Sequence, residues 1–108
     1  MWARTSGGVG INESLLREVN ERIEELGKQS DVNEAEFLCE CADRSCAARL
    51  TVSTGQYEAV RAHPDRFLVV TGHERPRFER VVEDHGRYVV VEKQGEAGEV
   101  AEDTDPRS

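Results

Sequence analysis

The sequence predicts a small α+β domain with a long N-terminal helix, a cysteine-rich knuckle, one short helix and a small, mostly antiparallel sheet that ends in a β-hairpin. Three observations support this class. An amphipathic repeat with the period of a helix comes first, three cysteines follow within a short segment, and runs of β-branched residues come late in the chain. Strands that follow one another closely favour an antiparallel sheet, because parallel strands need long crossover connections.

The composition limits the classes of protein to which the chain can belong. It has 108 residues, the size of one domain. No apolar run approaches the roughly 18 residues that a membrane span needs, and residues 1–10 do not have the pattern of a secretory signal. Acidic residues outnumber basic residues by 22 to 14, for a net charge of −8, which argues against a general nucleic-acid binder.

The chain divides into three regions by composition. Residues 1–10 are polar and glycine-rich, and we predict a flexible leader there. Residues 11–93 carry the regular apolar patterns and are expected to form a single α+β domain. Residues 94–108 hold five acidic residues and one basic residue, so that we predict an acidic, disordered tail.

The first helix is predicted from about Asn12 to Leu26, with Asn12 as its N-cap and Gly27 at its end. We expect its apolar stripe to cover a small core and its charged face to point to solvent. The stripe consists of Ile11, Leu15, Leu16, Val19, Ile23 and Leu26. The charged face consists of Glu13, Arg17, Glu18, Glu21, Arg22 and Glu25. The alternative is a helix that pairs with a second copy of the chain or with a partner.

A polar connector over Lys28–Glu36 is expected to lead to the cysteines. After them, the alternation in Ala48–Val52 predicts a short strand. Ser53 and Gln56 match a capping box, which opens a short helix, and Pro64 ends it.

The last part of the domain is predicted to be mostly strand. The β-rich run Arg66–Thr71 is expected to form a central strand, followed by a loop over residues 72–76. Phe78–Glu83 and Tyr88–Glu92 flank a short loop that contains glycine, which predicts a β-hairpin.

The most specific chemical signal is the spacing Cys-x-Cys-x4-Cys at Cys39, Cys41 and Cys46. An odd number of cysteines without a secretory signal argues against a disulfide framework and for a cytoplasmic protein. Zn²⁺ prefers thiolate and imidazole ligands, and this tight loop can bring three sulfurs around one ion. The common iron–sulfur clusters need four cysteines. Alternatives are three ordinary reduced thiols or a disulfide between Cys41 and Cys46.

A structural zinc site usually has four protein ligands, so that the fourth must come from elsewhere in the chain. His73 is our first candidate, because it directly follows the predicted strand Arg66–Thr71 and that strand could lie beside the one that begins at Ala48. His63 precedes a proline and His85 lies in a predicted turn, which is typical of exposed histidines. Water or an acidic side chain are further alternatives. Residues 11–93 are therefore expected to form a zinc-binding α+β domain, in which the cysteine loop is a zinc knuckle.

These patterns predict a small zinc-stabilised, non-enzymatic interaction or regulatory module without catalytic residues. No His-Glu-x-x-His, Gly-x-Ser-x-Gly or phosphate-binding loop occurs. A protein partner is expected to bind the charged face of the first helix or the loop Gly72–Arg77. The protein itself is expected to be a monomer or a homodimer that forms through the N-terminal helix.

Three other functions stay open. A thiol-based redox sensor would release zinc on oxidation. A zinc-dependent enzyme would need a general base, for which Glu74 and Glu40 are the candidates. A nucleic-acid-binding zinc domain would use the densest basic group, Arg75, Arg77 and Arg80.

Four segments resemble a group of small uncharacterised actinobacterial proteins. They are Arg17–Ile23, Phe37–Asp43 with Cys46, Tyr57–Ala62, and Arg66–Val70 with Gly72-His73-Glu74. The resemblance spans roughly residues 12 to 105, with the ending Asp105-Pro106-Arg107, and it implies no activity. It does imply that the cysteines and the Gly-His-Glu segment belong to one pattern, which supports Cys39, Cys41, Cys46 and His73 as one ligand set. The chain has Thr71 where the group has proline.

Overall fold

The described part of the chain consists of three helices and five strands. The computed structural model describes residues 11–30, 33–43 and 45–107, with the backbone alone for Ile11 and Asn12. The predicted flexible leader at residues 1–10 lies outside the described residues. In chain order the elements are α1 (Ile11–Gln29), β1 (Glu34–Leu38), β2 (Arg49–Ser53), α2 (Thr54–Arg61), β3 (Arg66–Val70), β4 (Glu79–Asp84), β5 (Tyr88–Lys93) and α3 (Gly95–Asp103).

The strands form two antiparallel sheets, which confirms the predicted α+β class. β1 and β2 form a hairpin in which Phe37 lies opposite Leu50. The other sheet has the order β3-β5-β4. The predicted hairpin of β4 and β5 is present, but β3 lies at an edge and β5 is the central strand. The predicted polar connector is shorter than expected, because β1 already begins at Glu34.

The three-stranded sheet separates two apolar cores, because successive side chains of a strand point to opposite faces. Phe67 and Val69 of β3 face the first core, whereas Leu68 faces the second. The buried members of the first core are Cys39, Cys41, Phe67, Val69, Val89, Val91, Ala97 and Ala101. Those of the second core are Phe37, Leu50, Val52, Tyr57, Val60, Leu68, Tyr88 and Val90. The cysteines are therefore part of the packed interior.

The capping box at the start of α2 is present as predicted. The Ser53 side chain accepts a hydrogen bond from the backbone amide of Gln56, and the Gln56 side chain accepts one from the amide of Ser53. These two bonds satisfy amides that the first helical turn leaves without partners. The helix ends at Arg61, three residues before Pro64.

Helix α1 is longer than predicted, and the face that it buries most deeply is not the predicted one, although Ile23 of the predicted stripe packs against the second core. Asn12 and Gly27, the predicted ends, both lie inside the helix. Leu15, Val19 and Leu26 of the predicted core-facing stripe are 54%, 44% and 48% exposed. The prediction that this stripe covers the core is therefore wrong for these three residues.

The face of α1 that packs inward is polar. Its buried residues are Glu13, Arg17, Asn20 and Glu24. The Arg17 guanidinium donates to the backbone oxygens of Pro64 and Ala101, both at 2.7 Å. Glu13 accepts from Lys93 Nζ at 2.6 Å. Such bonds offset the cost of burying polar groups, so that long-range partners decide which face of α1 packs inward.

Residues 94–107 are not a disordered tail, because α3 occupies most of this segment. Ala97 and Ala101 are buried in the first core. A Cβ atom at Gly98 would lie 2.9 Å from the Lys93 carbonyl oxygen, so that glycine permits a close approach of backbone to backbone. The prediction was wrong because these small residues contribute little hydropathy, although they pack closely.

Charged residues after α3 bind the end of the described chain to α1 and α2. Arg61, which is buried, forms a salt bridge with Asp105. Arg107 Nη2 donates to Glu21 at 3.0 Å, and Arg107 Nη1 donates to Glu58 at 3.0 Å. Asp105 and Arg107 of this segment therefore form ion pairs with residues of α1 and α2.

The stability of the Glu24→Gln variant is expected to depend on pH differently from that of the wild type. Burial, together with the neighbouring Glu58, raises the pKa of Glu24 from 4.5 to about 7, against the opposing effects of Lys28 and Arg107. When the pKa of a carboxyl group is higher in the folded than in the unfolded state, the free energy of unfolding of the protein falls as the pH rises from the unfolded pKa to the folded pKa. The free energy of unfolding of the variant should therefore exceed that of the wild type by about 1–3 kcal/mol above pH 7.

Urea unfolding at pH 4.5 and at pH 8 measures this difference. The two proteins should differ much less at the lower pH, where Glu24 is protonated in the folded state and about half protonated in the unfolded state. Glu25→Gln on the exposed side of α1 is the control. A variant that is less stable than the wild type at pH 8 would contradict the prediction.

Candidate metal centre

The cysteines lie in the loop that joins β1 to β2. The Cys39 amide donates to the Ala48 carbonyl at 3.0 Å, which continues the register of the hairpin. Asp43 Oδ1 accepts from the Ser45 amide at 2.9 Å and from the Ser45 hydroxyl at 2.7 Å. These bonds hold the pKa of Asp43 below its usual value. The Cys46 amide donates to the Asp43 carbonyl at 3.0 Å, so that the chain turns back toward the first two cysteines.

Cys39 is also fixed by the edge of the three-stranded sheet. The Val70 amide at the end of β3 donates to Cys39 Sγ at 3.2 Å, and the Glu40 amide donates to the Leu68 carbonyl at 2.7 Å. The segment that follows β1 therefore covers the open edge of β3. The prediction that the strand after the cysteines lies beside β3 is wrong, because β2 pairs with β1.

His73 reaches the cysteines through a tight turn after β3. The His73 amide donates to the Val70 carbonyl at 2.9 Å, with Gly72 at a φ of +96° between them. A type II turn requires a positive φ at this position, which favours glycine. The turn places the imidazole over the cysteine loop, as predicted from its position at the end of the strand.

The structure brings Cys39, Cys41, Cys46 and His73 together, with their donor atoms all within 4.8 Å of one another. His73 Nδ1 lies 3.5 Å from Cys46 Sγ and 3.7 Å from Cys39 Sγ. Tetrahedral zinc, with Zn–S about 2.3 Å and Zn–N about 2.0 Å, separates sulfur from nitrogen by about 3.5 Å. The two sulfur–nitrogen distances therefore match the spacing that a tetrahedral ion needs.

The environment of the thiols favours metal binding over free thiolate chemistry. Cys39 and Cys41 are 1% and 3% exposed. Burial raises the pKa of both thiols, so that a bare thiolate is unfavourable at these positions. A bound cation would supply the positive charge that a buried thiolate needs. Among the described residues, no disulfide joins the three cysteines.

Glu40, a candidate base by its place in the sequence, is held by hydrogen bonds in the interior of the protein. The residue is fully buried between the first two cysteines. Its carboxylate accepts hydrogen bonds from Tyr57 Oη at 2.6 Å, Asn20 Nδ2 at 2.8 Å and the Leu68 amide at 2.9 Å. Burial raises the pKa of Glu40, whereas these three bonds act in the opposite direction. Spacing along the chain gives no signal for such a cluster.

Among the described residues, the group of four donors does not include the other candidates. His63 is exposed, and His85 stacks on Tyr88 with its Nε2 2.8 Å from Glu83. Glu74 accepts a hydrogen bond from the Gly72 amide at 2.8 Å.

Nearby carboxylates pair with one of the three arginines that were candidates for nucleic-acid contact and with two other arginines. Arg80 of the densest group pairs with Glu92 at 3.2 Å, and Arg66 pairs with the same carboxylate group at 3.4 Å. Arg49 pairs with Glu36 at 3.4 Å. This pairing reduces the charge available for phosphate groups.

In comparisons with known proteins, no family model, curated protein or solved structure matches the chain. Among the described residues, none of the helices has the length and apolar character that crossing a membrane requires.

Proposed function

We propose that the chain is a zinc-stabilised, non-enzymatic interaction module in which Cys39, Cys41, Cys46 and His73 hold one Zn²⁺. The observation that carries the proposal is the convergence of three sulfurs and one imidazole nitrogen within 4.8 Å. The donors come from a hairpin loop and from a turn 27 residues after Cys46. One ion bound there would join two separate parts of the chain.

The donor set favours zinc over other metals. Three thiolates and one imidazole in a tetrahedral arrangement are typical of structural zinc sites, whereas Mg²⁺ and Ca²⁺ prefer oxygen ligands. When bound, the ion supplies cross-linking and charge neutralisation for the thiolates. We infer a structural role, because small domains gain much of their stability from such a site.

Two features support a non-enzymatic role. Four protein donors complete a tetrahedral coordination sphere, whereas catalytic zinc keeps a position for water. Glu40 and Glu74, the two candidate bases, already accept hydrogen bonds from groups of the fold. We therefore assign the module a protein partner rather than a substrate. A cytoplasmic location follows, since thiols stay reduced there.

Native mass spectrometry of the reduced protein tests the metal site. We expect one Zn²⁺ for each chain of the wild type, none in Cys46→Ser, and weakened binding in His73→Ala. The matched control is His85→Ala, which removes an exposed histidine and should keep the full zinc content. The same spectra report whether the protein is a monomer or a homodimer.

Two results would contradict the proposal. A wild type without metal under reducing conditions would exclude the zinc site and make thiol redox chemistry the better explanation. Equal zinc content in His73→Ala and in the wild type, with equal resistance to a chelator, would exclude His73 as the fourth ligand.

A further inference from the structure

Glu40 occupies an unusual place beside the proposed metal centre. It lies between two proposed ligands, yet its carboxylate points away from them into the interior of the protein. It contacts three elements there, through Asn20 of α1, Tyr57 of α2 and Leu68 of β3. All three groups donate to the carboxylate, which suits a group that only accepts hydrogen bonds.

The backbone on either side of Glu40 is held in the same way. The Glu40 amide donates to the Leu68 carbonyl at 2.7 Å, and the Val70 amide donates to Cys39 Sγ at 3.2 Å. Asn20 donates to the Leu38 carbonyl at 2.9 Å and accepts from the Leu38 amide at 2.9 Å. The direction in which the first two thiols point is therefore coupled to the docking of α1.

We propose that Glu40 is the positioning residue of the Cys3His centre, and that its hydrogen bonds to Asn20, Tyr57 and Leu68 couple metal binding to the docking of α1 and α2. The inference rests on the proposed zinc site and adds its regulation. Because coupling between two equilibria is reciprocal, a group on α2 that contacts no ligand must then contribute to metal affinity.

Two substitutions separate this coupling from general damage to the core. Glu40→Gln keeps the shape of the side chain but has a single acceptor oxygen, so that its NH₂ group must face either Leu68 or the donors Asn20 and Tyr57. Tyr57→Phe removes only the hydroxyl and keeps the ring stacked on Phe37, whose centroid lies at 4.5 Å.

The readouts are the zinc affinity, from competition with a chromophoric chelator, and the absorption spectrum of the Co²⁺-loaded protein. We expect Glu40→Gln to weaken zinc binding by about 10–100-fold and to shift the d–d and sulfur-to-cobalt bands. Tyr57→Phe should weaken zinc binding by about 3–10-fold. The effects of the two changes should not be additive in the double variant, because both act through one hydrogen-bonded cluster.

Two controls come from the same core. Tyr88→Phe removes a hydroxyl from a tyrosine of the second core, and this hydroxyl forms none of the three hydrogen bonds to Glu40. Val52→Ala removes volume from the same core at a residue of β2 that lies opposite Ala35 rather than Leu68. Both should keep the wild-type zinc affinity and Co²⁺ spectrum, although Val52→Ala lowers stability. An equal loss of affinity in Val52→Ala would mean that the effect follows global stability, and this would overturn the proposal.

The outcomes also distinguish this inference from the zinc proposal. If the wild type binds zinc and both Glu40→Gln and Tyr57→Phe bind it equally tightly with an unchanged Co²⁺ spectrum, the positioning role is wrong and the zinc site stands. If the wild type binds no metal, both proposals are wrong. Should Glu40→Gln fail to fold, Tyr57→Phe alone decides the result.

Discussion

Removal of the metal by a strong chelator is expected to lower the midpoint of thermal unfolding by about 15–30 °C. At a free zinc concentration a thousand-fold above Kd, the bound ion contributes about 4 kcal/mol to the free energy of unfolding, and the chelator removes this contribution. The ion would join the β1–β2 loop to the turn after β3, and its thiolate ligands Cys39 and Cys41 belong to the first core. Without the ion, the loop loses its connection to His73, and the buried thiols must take up protons. Calorimetry in reducing buffer, before and after chelation, measures the shift.

Variants of the site supply the comparison for this experiment. Cys46→Ser should unfold at a lower temperature than the wild type even before the chelator is added. Its midpoint should change little on chelation, because the variant has no complete metal site. His85→Ala should show the same shift as the wild type. An unchanged midpoint after mass spectrometry has confirmed loss of the metal would contradict the structural role.

Arg17→Lys is expected to lower the free energy of unfolding by about 2–4 kcal/mol, although it keeps the positive charge. The guanidinium of Arg17 donates to two backbone carbonyls, those of Pro64 and Ala101, and lies 4.5 Å from the centre of the Phe67 ring. An ammonium group cannot match the planar fork that reaches both carbonyls at once. One buried acceptor then loses its partner. Urea unfolding monitored by circular dichroism measures the change.

The control for this variant lies on the exposed side of the same helix. Arg22→Lys changes an arginine whose side chain is 70% exposed and whose partner is Glu25 at 3.0 Å. Its effect should stay within about 0.5 kcal/mol, as for other exposed ion pairs. Similar losses in both variants would mean that the bonds to α3 and to the segment before β3 do not stabilise the docking of α1.

Much of the local structure could be predicted because neighbouring residues determine it. The capping box of Ser53 and Gln56 predicts the start of α2 from side chains that bond amides of the same turn. The run of β-branched residues predicts β5, and the glycine before it favours the hairpin turn. The spacing of the three cysteines indicated a common site, since a loop so short brings its sulfurs together wherever it lies in the fold.

The sequence by itself therefore determined the helices α1 and α2, the late strands, the knuckle and the candidate ligands Cys39, Cys41, Cys46 and His73. Only the tertiary structure decided which face of α1 packs inward, that α3 replaces a disordered tail, and that Glu40 joins the knuckle to both helices. For α3 the reason is the close packing of small residues, and for α1 and Glu40 it is the burial of polar groups. Burial of Arg17 or Glu40 is unfavourable until a distant partner satisfies it, and the position of that partner depends on the whole fold.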